Sequence, residues 1–154
     1  NERGKKWGKT MNKMTLECLA HLENEAFIRT SAIAFLMPLN LSMEDCMEIK
    51  TMLAEAVVNA MIHGYEGNHE GIVRVHVSYD ENQIEIIVAD EGCGIDDISQ
   101  AMQPLFTSKQ HLERSGMGMT IMQTFADDFH ITSEKGKGTV VTLRKRIQHE
   151  CVSE

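Results

Sequence analysis

The stretch Glu55-Ala56-Val57-Val58-Asn59-Ala60-Met61-Ile62-His63-Gly64-Tyr65 sets three polar side chains four residues apart among small and apolar ones. Residues at i, i+4 and i+8 share one helix face, so Glu55, Asn59 and His63 line up. Ile49, Leu53, Ala56, Val57 and Ala60 give the same helix a core stripe beside that face. Ser42 is a good N-cap, with Asp45 three residues on, and Gly64 can close the far end. A carboxylate and an amide oxygen one turn apart suit a hydroxyl proton and a hard cation, respectively. On spacing alone, a solvated face with an ion-paired Glu explains the same pattern. His63, at the helix end, reads mainly as a cap that complements the dipole.

Downstream, Ile72 to Tyr79 reads as a strand, with Val73, Val75, Val77 and Tyr79 on one face. A hairpin-length turn at 80–82 leads into a second strand, Gln83 to Ala89, a near-continuous apolar run. Asp96 to Met102 allows one or two helical turns, and 103–115 reads as a polar loop. A helix then runs from Gly116 to about Ala126. Phe129 to Ser133 and Thr139 to Arg146 are strands joined by the turn at 134–138.

Upstream, Met14 to Ala20 alternates as a short strand. Glu23 to Met37 reads as a helix with Ala26, Phe27, Ser31, Ala34 and Phe35 on one side, stopped by Pro38. Met43, Met47, Met52 and Met61 read as fillers of core or edge gaps on the long helix. The order is strand, two helices, strand pair, helix, strand pair. This is α+β: a two-layer α/β sandwich with helices on one face of a mostly antiparallel sheet. The domain is placed at 14–146, between a basic extension at 1–13 and a tail at 147–154.

The 154 residues suit one domain, able to bury about 70% of its unfolded surface without staples. A net charge of −8 argues against direct DNA binding, which runs on surplus Lys and Arg. Residues 1–13 nonetheless sum to +4, which reads as a solvated head. The four cysteines lack C-x-x-C spacing, so a zinc cluster is not expected. They read as reduced thiols of a cytoplasmic protein, with no membrane span in the sequence.

Two glycine-rich stretches complete the picture. Asp90-Glu91-Gly92-Cys93-Gly94 follows an apolar strand. A carboxylate there can sit at a pocket floor, and Gly92 and Gly94 allow a flat ligand to approach the backbone. A plain turn is the simpler explanation. Arg114-Ser115-Gly116-Met117-Gly118-Met119 opens a helix, whose N-terminal N–H groups favour phosphate. Lys109 and Arg114 add cations. This is neither a Walker A loop nor a Rossmann turn, since no Gly-Lys-Ser/Thr follows and no strand precedes.

In this order the three stretches, with Gly138-Thr139 after them, resemble the ATPase superfamily of gyrase, mismatch-repair ATPases, heat-shock chaperones and histidine kinases, which shares the Bergerat ATP-binding fold. Within it, the Glu55–Tyr65 stretch, Pro104-Leu105-Phe106-Thr107-Ser108, Leu112–Met122 and the helix segment Asn24–Arg29 resemble the anti-sigma F factors of endospore-forming bacteria. The likeness covers roughly residues 11–146.

That resemblance implies a homodimer that binds ATP or ADP with Mg2+. It implies sequestration of a sporulation sigma factor of the sigma F type, and phosphorylation of a serine on an anti-anti-sigma protein. By the same resemblance, Asn59 places magnesium and Glu55 is the general base. Asp90 accepts from the adenine amine, Gly92 and Gly94 shape the adenine floor, and Thr139 joins a water network there. Gly116 and Gly118, with Ser115 and Met117 between and beside them, cradle phosphate, and Arg114 and Lys109 reach it from the lid. Arg29 and Glu113 lie on the partner-binding surface, and the first strand is the expected dimer contact. The alternatives are an anti-sigma factor of the general stress response, and a nucleotide-gated binding module without kinase activity. A sensor histidine kinase would require a phosphoacceptor helical hairpin, which the sequence does not show.

Overall fold

A computed structural model describes residues 10–64, 70–94 and 118–147. Strand β1 spans Asn12–Leu19, helix α1 Asn24–Leu36 and helix α2 Met43–Asn59. Strands β2 and β3 span Ile72–Tyr79 and Gln83–Asp90. Helix α3 spans Gly118–Phe125, and strands β4 and β5 span Asp128–Glu134 and Gly138–Arg146. All neighbours in the five-stranded sheet pair antiparallel, in the order β1-β2-β3-β5-β4. The α+β expectation holds, and β1 begins at Asn12, inside the segment read as a basic extension.

Strand alternation builds the core. Val73, Val75, Val77 and Tyr79 of β2, Ile84, Ile86 and Val88 of β3, and Val141 and Leu143 of β5 are buried. From the other layer come Ile49, Met52, Leu53, Ala56 and Val57 of α2, with Met122 of α3. The Phe35 ring of α1 leans on Tyr79 of β2, centroids 5.4 Å apart. On the opposite sheet face, polar partners meet in register: Glu17 with Arg74 at 2.6 Å, Thr15 with His76 at 2.8 Å, and Glu85 with Arg144 at 2.8 Å. No helix among the described residues is long and apolar enough to cross a membrane.

Local sequence sets the helix boundaries. Ser42 is extended and its hydroxyl accepts from the Asp45 N–H at 3.1 Å, the expected cap of α2. After Asn59 the helix widens into a π turn, Ala60–Gly64. Such turns in α-helices often mark functional positions.

Two sequence expectations are corrected. In α1 the buried positions are Ile28, Ala32 and Leu36, while Phe27 is 57% exposed. The i, i+4 row carrying two aliphatics and an alanine won over the row carrying Phe27 and Ser31. Met52 of α2 and Met61 of the π turn fill the core, but Met43 and Met47 of α2 face solvent. Both precede the turn at which α2 begins to pack its stripe, from Ile49 onward.

Candidate functional site

Glu55 and Asn59 lie half-buried on the last turns of α2. Gly118, the first residue of α3, is buried directly against them. A Cβ at this glycine would stand 2.9 Å from Oε2 of Glu55 and 3.1 Å from Nδ2 of Asn59. The bare backbone of Gly118 therefore packs directly against the carboxylate and the amide. A side chain at 118 would occupy that space, which accounts for glycine.

The second part of the site lies where β3 ends. Asp90 is 8% exposed, and its Oδ1 accepts from the Gly92 N–H at 2.9 Å. Burial pushes its pKa above the ordinary carboxylate range, and backbone N–H bonds from Gly92 and Thr139 oppose that rise. Thr139 sits opposite Asp90 in the β3–β5 register and is equally buried. Its hydroxyl shares a 2.8 Å hydrogen bond with Ser133, which also reaches the Gly138 carbonyl at 3.1 Å.

Two glycines hold this corner closed. Gly138 has φ +108°, and a Cβ there would strike the Asp90 carbonyl and lie 2.7 Å from Cα of Glu91. Gly94 has φ +75°, and its Cβ would strike the Glu134 carbonyl. The Gly136 N–H donates to the Cys93 carbonyl at 2.7 Å, which joins the 90–94 loop to the β4–β5 turn.

Of the residues read from the sequence, the structure joins Glu55, Asn59 and Gly118 in one cluster and Asp90, Gly92 and Thr139 in another. Arg29 stands on α1 and pairs with Glu25 at 3.2 Å. Lys109, Glu113, Arg114, Ser115, Gly116 and Met117 lie outside the described residues, as does the His63 side chain. Ser133 escaped the sequence reading, because its contact with Thr139 follows from hairpin register. Its signal was the alternation of β4, which turns 129, 131 and 133 to one face.

Among the described residues no three His, Cys, Asp or Glu side chains converge on a metal position. A magnesium ion that travels with nucleotide phosphates asks for only one or two protein oxygens. The Asn59 amide oxygen beside Gly118, with the Glu55 carboxylate one turn away, fits that requirement.

Residues 18–145 match the family model of the histidine kinase-like ATPase domain. The anti-sigma F factor of Clostridium beijerinckii is 47% identical over 135 residues, covering 88% of this chain and 94% of that protein. The chain belongs to the anti-sigma F factor family. Relatives from Clostridium perfringens and Halalkalibacterium halodurans, both anti-sigma F factors, are 48% and 46% identical, each over 88% of this chain and over 97% and 93% of theirs. The crystal structure of the RsbU and RsbW domains of a Mycobacterium tuberculosis protein superposes with a TM-score of 0.65. It covers 89% of this chain and 33% of that one, at 17% identity, and so attests the fold. This anti-sigma F family member thus carries a nucleotide-binding, kinase-like ATPase domain.

Proposed function

We propose that this protein is a cytoplasmic anti-sigma factor and a magnesium-dependent serine protein kinase. It sequesters a sigma factor of the sigma F type and phosphorylates a serine of the anti-anti-sigma protein that relieves the sequestration. The observation that carries this reading is the meeting of Gly118 with Glu55 and Asn59. It brings backbone without a side chain beside an amide that suits a hard cation and a carboxylate that suits a proton, an arrangement that supports phosphoryl transfer. The names of the curated relatives support the sigma-factor half.

In this reading Asp90 accepts a hydrogen bond from the adenine amine. Gly92 and Gly94 keep the floor flat, and Thr139 with Ser133 orders solvent beside it. N–H groups at Gly116, Met117 and Gly118 hold phosphate oxygens, with Ser115 alongside. Magnesium, when bound, neutralises the charge of the transferring phosphoryl group, and Asn59 holds it. Glu55 takes the proton of the incoming serine hydroxyl as that oxygen bonds to the γ-phosphorus and ADP leaves. Lys109 and Arg114 supply positive charge to the phosphates.

The partner surface is assigned to α1 and the 103–115 segment, through Arg29 and Glu113. Phe27, exposed beside the buried row of α1, supports a protein contact on that helix. The domain is taken as 14–146, and a homodimer through β1 is part of the proposal, since β1 forms one edge of the sheet.

Mixing the purified protein with the sigma factor and anti-anti-sigma protein of the same host, with ATP or ADP, tests both halves. Co-elution of the sigma factor and a phosphoserine on the third protein are expected. Co-elution without any phosphoserine would favour the nucleotide-gated module, and absence of co-elution would remove the anti-sigma role.

A further inference from the structure

Lys145 lies on β5, where alternation turns Val141, Leu143 and Lys145 toward the helix layer. It holds a core position with a charged side chain that is 9% exposed. Its Nζ donates to Oε2 of Glu48 at 2.5 Å and to the backbone carbonyl of Phe125 at 3.3 Å. Asp45 Oδ1 stands 3.7 Å away. Burial disfavours the ammonium, but the Glu48 hydrogen bond and the charges of Glu48, Asp45 and Asp127 more than reverse this, and the group stays protonated.

The partners identify what Lys145 connects. Glu48 and Asp45 belong to the first turns of α2, and Phe125 is the last residue of α3. Glu55 is seven residues beyond Glu48, and Gly118 is seven residues before Phe125. At a helical rise of 1.5 Å per residue, both spans are about 10 Å. The two helices therefore run antiparallel as a pair closed at both ends. Lys145 closes one end, and Gly118 against Glu55 and Asn59 is the other.

We infer that Lys145 is a positioning residue for the phosphate end of the nucleotide site: by binding the last carbonyl of α3 and the first turns of α2, it holds Gly118 against Glu55 and Asn59. The inference rests on the nucleotide-site reading given above. It differs from a plain stabilising ion pair in being selective. The adenine floor at Asp90 and Thr139 is held by the β3–β5 register and by its own bonds with Gly92 and Ser133, none of which runs through Lys145 or α3, so the phosphate contribution to binding should suffer selectively.

The test compares adenosine with magnesium-ATP on wild type and on Lys145→Met, by calorimetry and ligand-observed NMR well below each melting temperature. ATP affinity is expected to fall at least about tenfold while adenosine affinity stays within about twofold, as expected for a displaced positioning element. Loss of both ligands in equal proportion, or of neither, overturns the inference. If Lys145→Met does not fold, Glu48→Gln decides. It leaves the lysine in place, and the same selective loss, on the order of threefold, is expected. Equal effects on the two ligands in that variant would likewise overturn the inference. If wild type binds magnesium-ATP no more tightly than adenosine, the site reading itself fails, and the inference with it.

Discussion

At Gly118 the absence of a side chain lets two helices pack with a carboxylate and an amide directly against bare backbone. Asn59 is the cation ligand of that group in our reading. Asn59→Ala should abolish the magnesium dependence of ATP affinity, and calorimetry with and without magnesium would show it. Asp90 makes a prediction of opposite character. Its pKa is raised by burial, so in the folded protein it takes up a proton at higher pH than in the unfolded chain. Its contribution to stability is therefore fully present below the ordinary Asp value and is lost as pH rises through the raised one. In the proposed reading adenine recognition uses the ionised acceptor, so the sign is reversed. ATP affinity should decline on acidification from a pH above the ordinary carboxylate range, while the nucleotide-free protein gains from Asp90. Titration calorimetry at stepped pH reads the first effect, and thermal melts read the second.

At the scale of elements, the corner between the 90–94 loop and the β4–β5 turn is built on backbone that other residues cannot follow. Gly138 combines φ +108° with direct contact on the Asp90 backbone. Gly138→Ala should destabilise the fold by at least about 1 kcal/mol, read as a lower denaturant midpoint, and should weaken adenine binding as well. Much of this architecture is legible from sequence. Strict alternation in Ile72–Tyr79 identifies β2 and its buried face, and Ser42 with Asp45 marks the start of α2. Helix α1 is less legible, because apolar residues occupy most of its circumference. Phe27 and Ile28 compete for the core, and only the packed sheet shows that Ile28 prevails. Ser133 and Lys145 are invisible for a related reason. One is recruited by hairpin register and the other by the meeting of three elements, and neither leaves a local pattern. The glycine-rich stretches pointed to close backbone approach, and at Gly94 and Gly118 a Cβ would indeed meet neighbouring atoms.

Taken whole, the proposed reading assigns nucleotide chemistry to residues of α2, α3, β3 and β5, and leaves α1 with Arg29 and an exposed Phe27. A sequence of net charge −8 is poorly suited to DNA, so regulation of transcription should pass through protein contacts. Arg29→Ala should weaken binding of both protein partners without changing ATP affinity, since Arg29 pairs on α1 and is absent from both nucleotide clusters. Gel-filtration co-elution and ATP calorimetry on the same preparation check the two halves. The central claim is that one chain both holds ATP and passes its γ-phosphate to a serine, with Glu55 as the base. The most direct measurement is transfer of labelled γ-phosphate to the anti-anti-sigma protein by wild type and by Glu55→Gln. Wild type should label a serine, and Glu55→Gln should bind ATP and the sigma factor normally while transfer falls at least about 100-fold. Undiminished transfer by Glu55→Gln, or none by a wild-type protein that binds ATP tightly, would contradict the account.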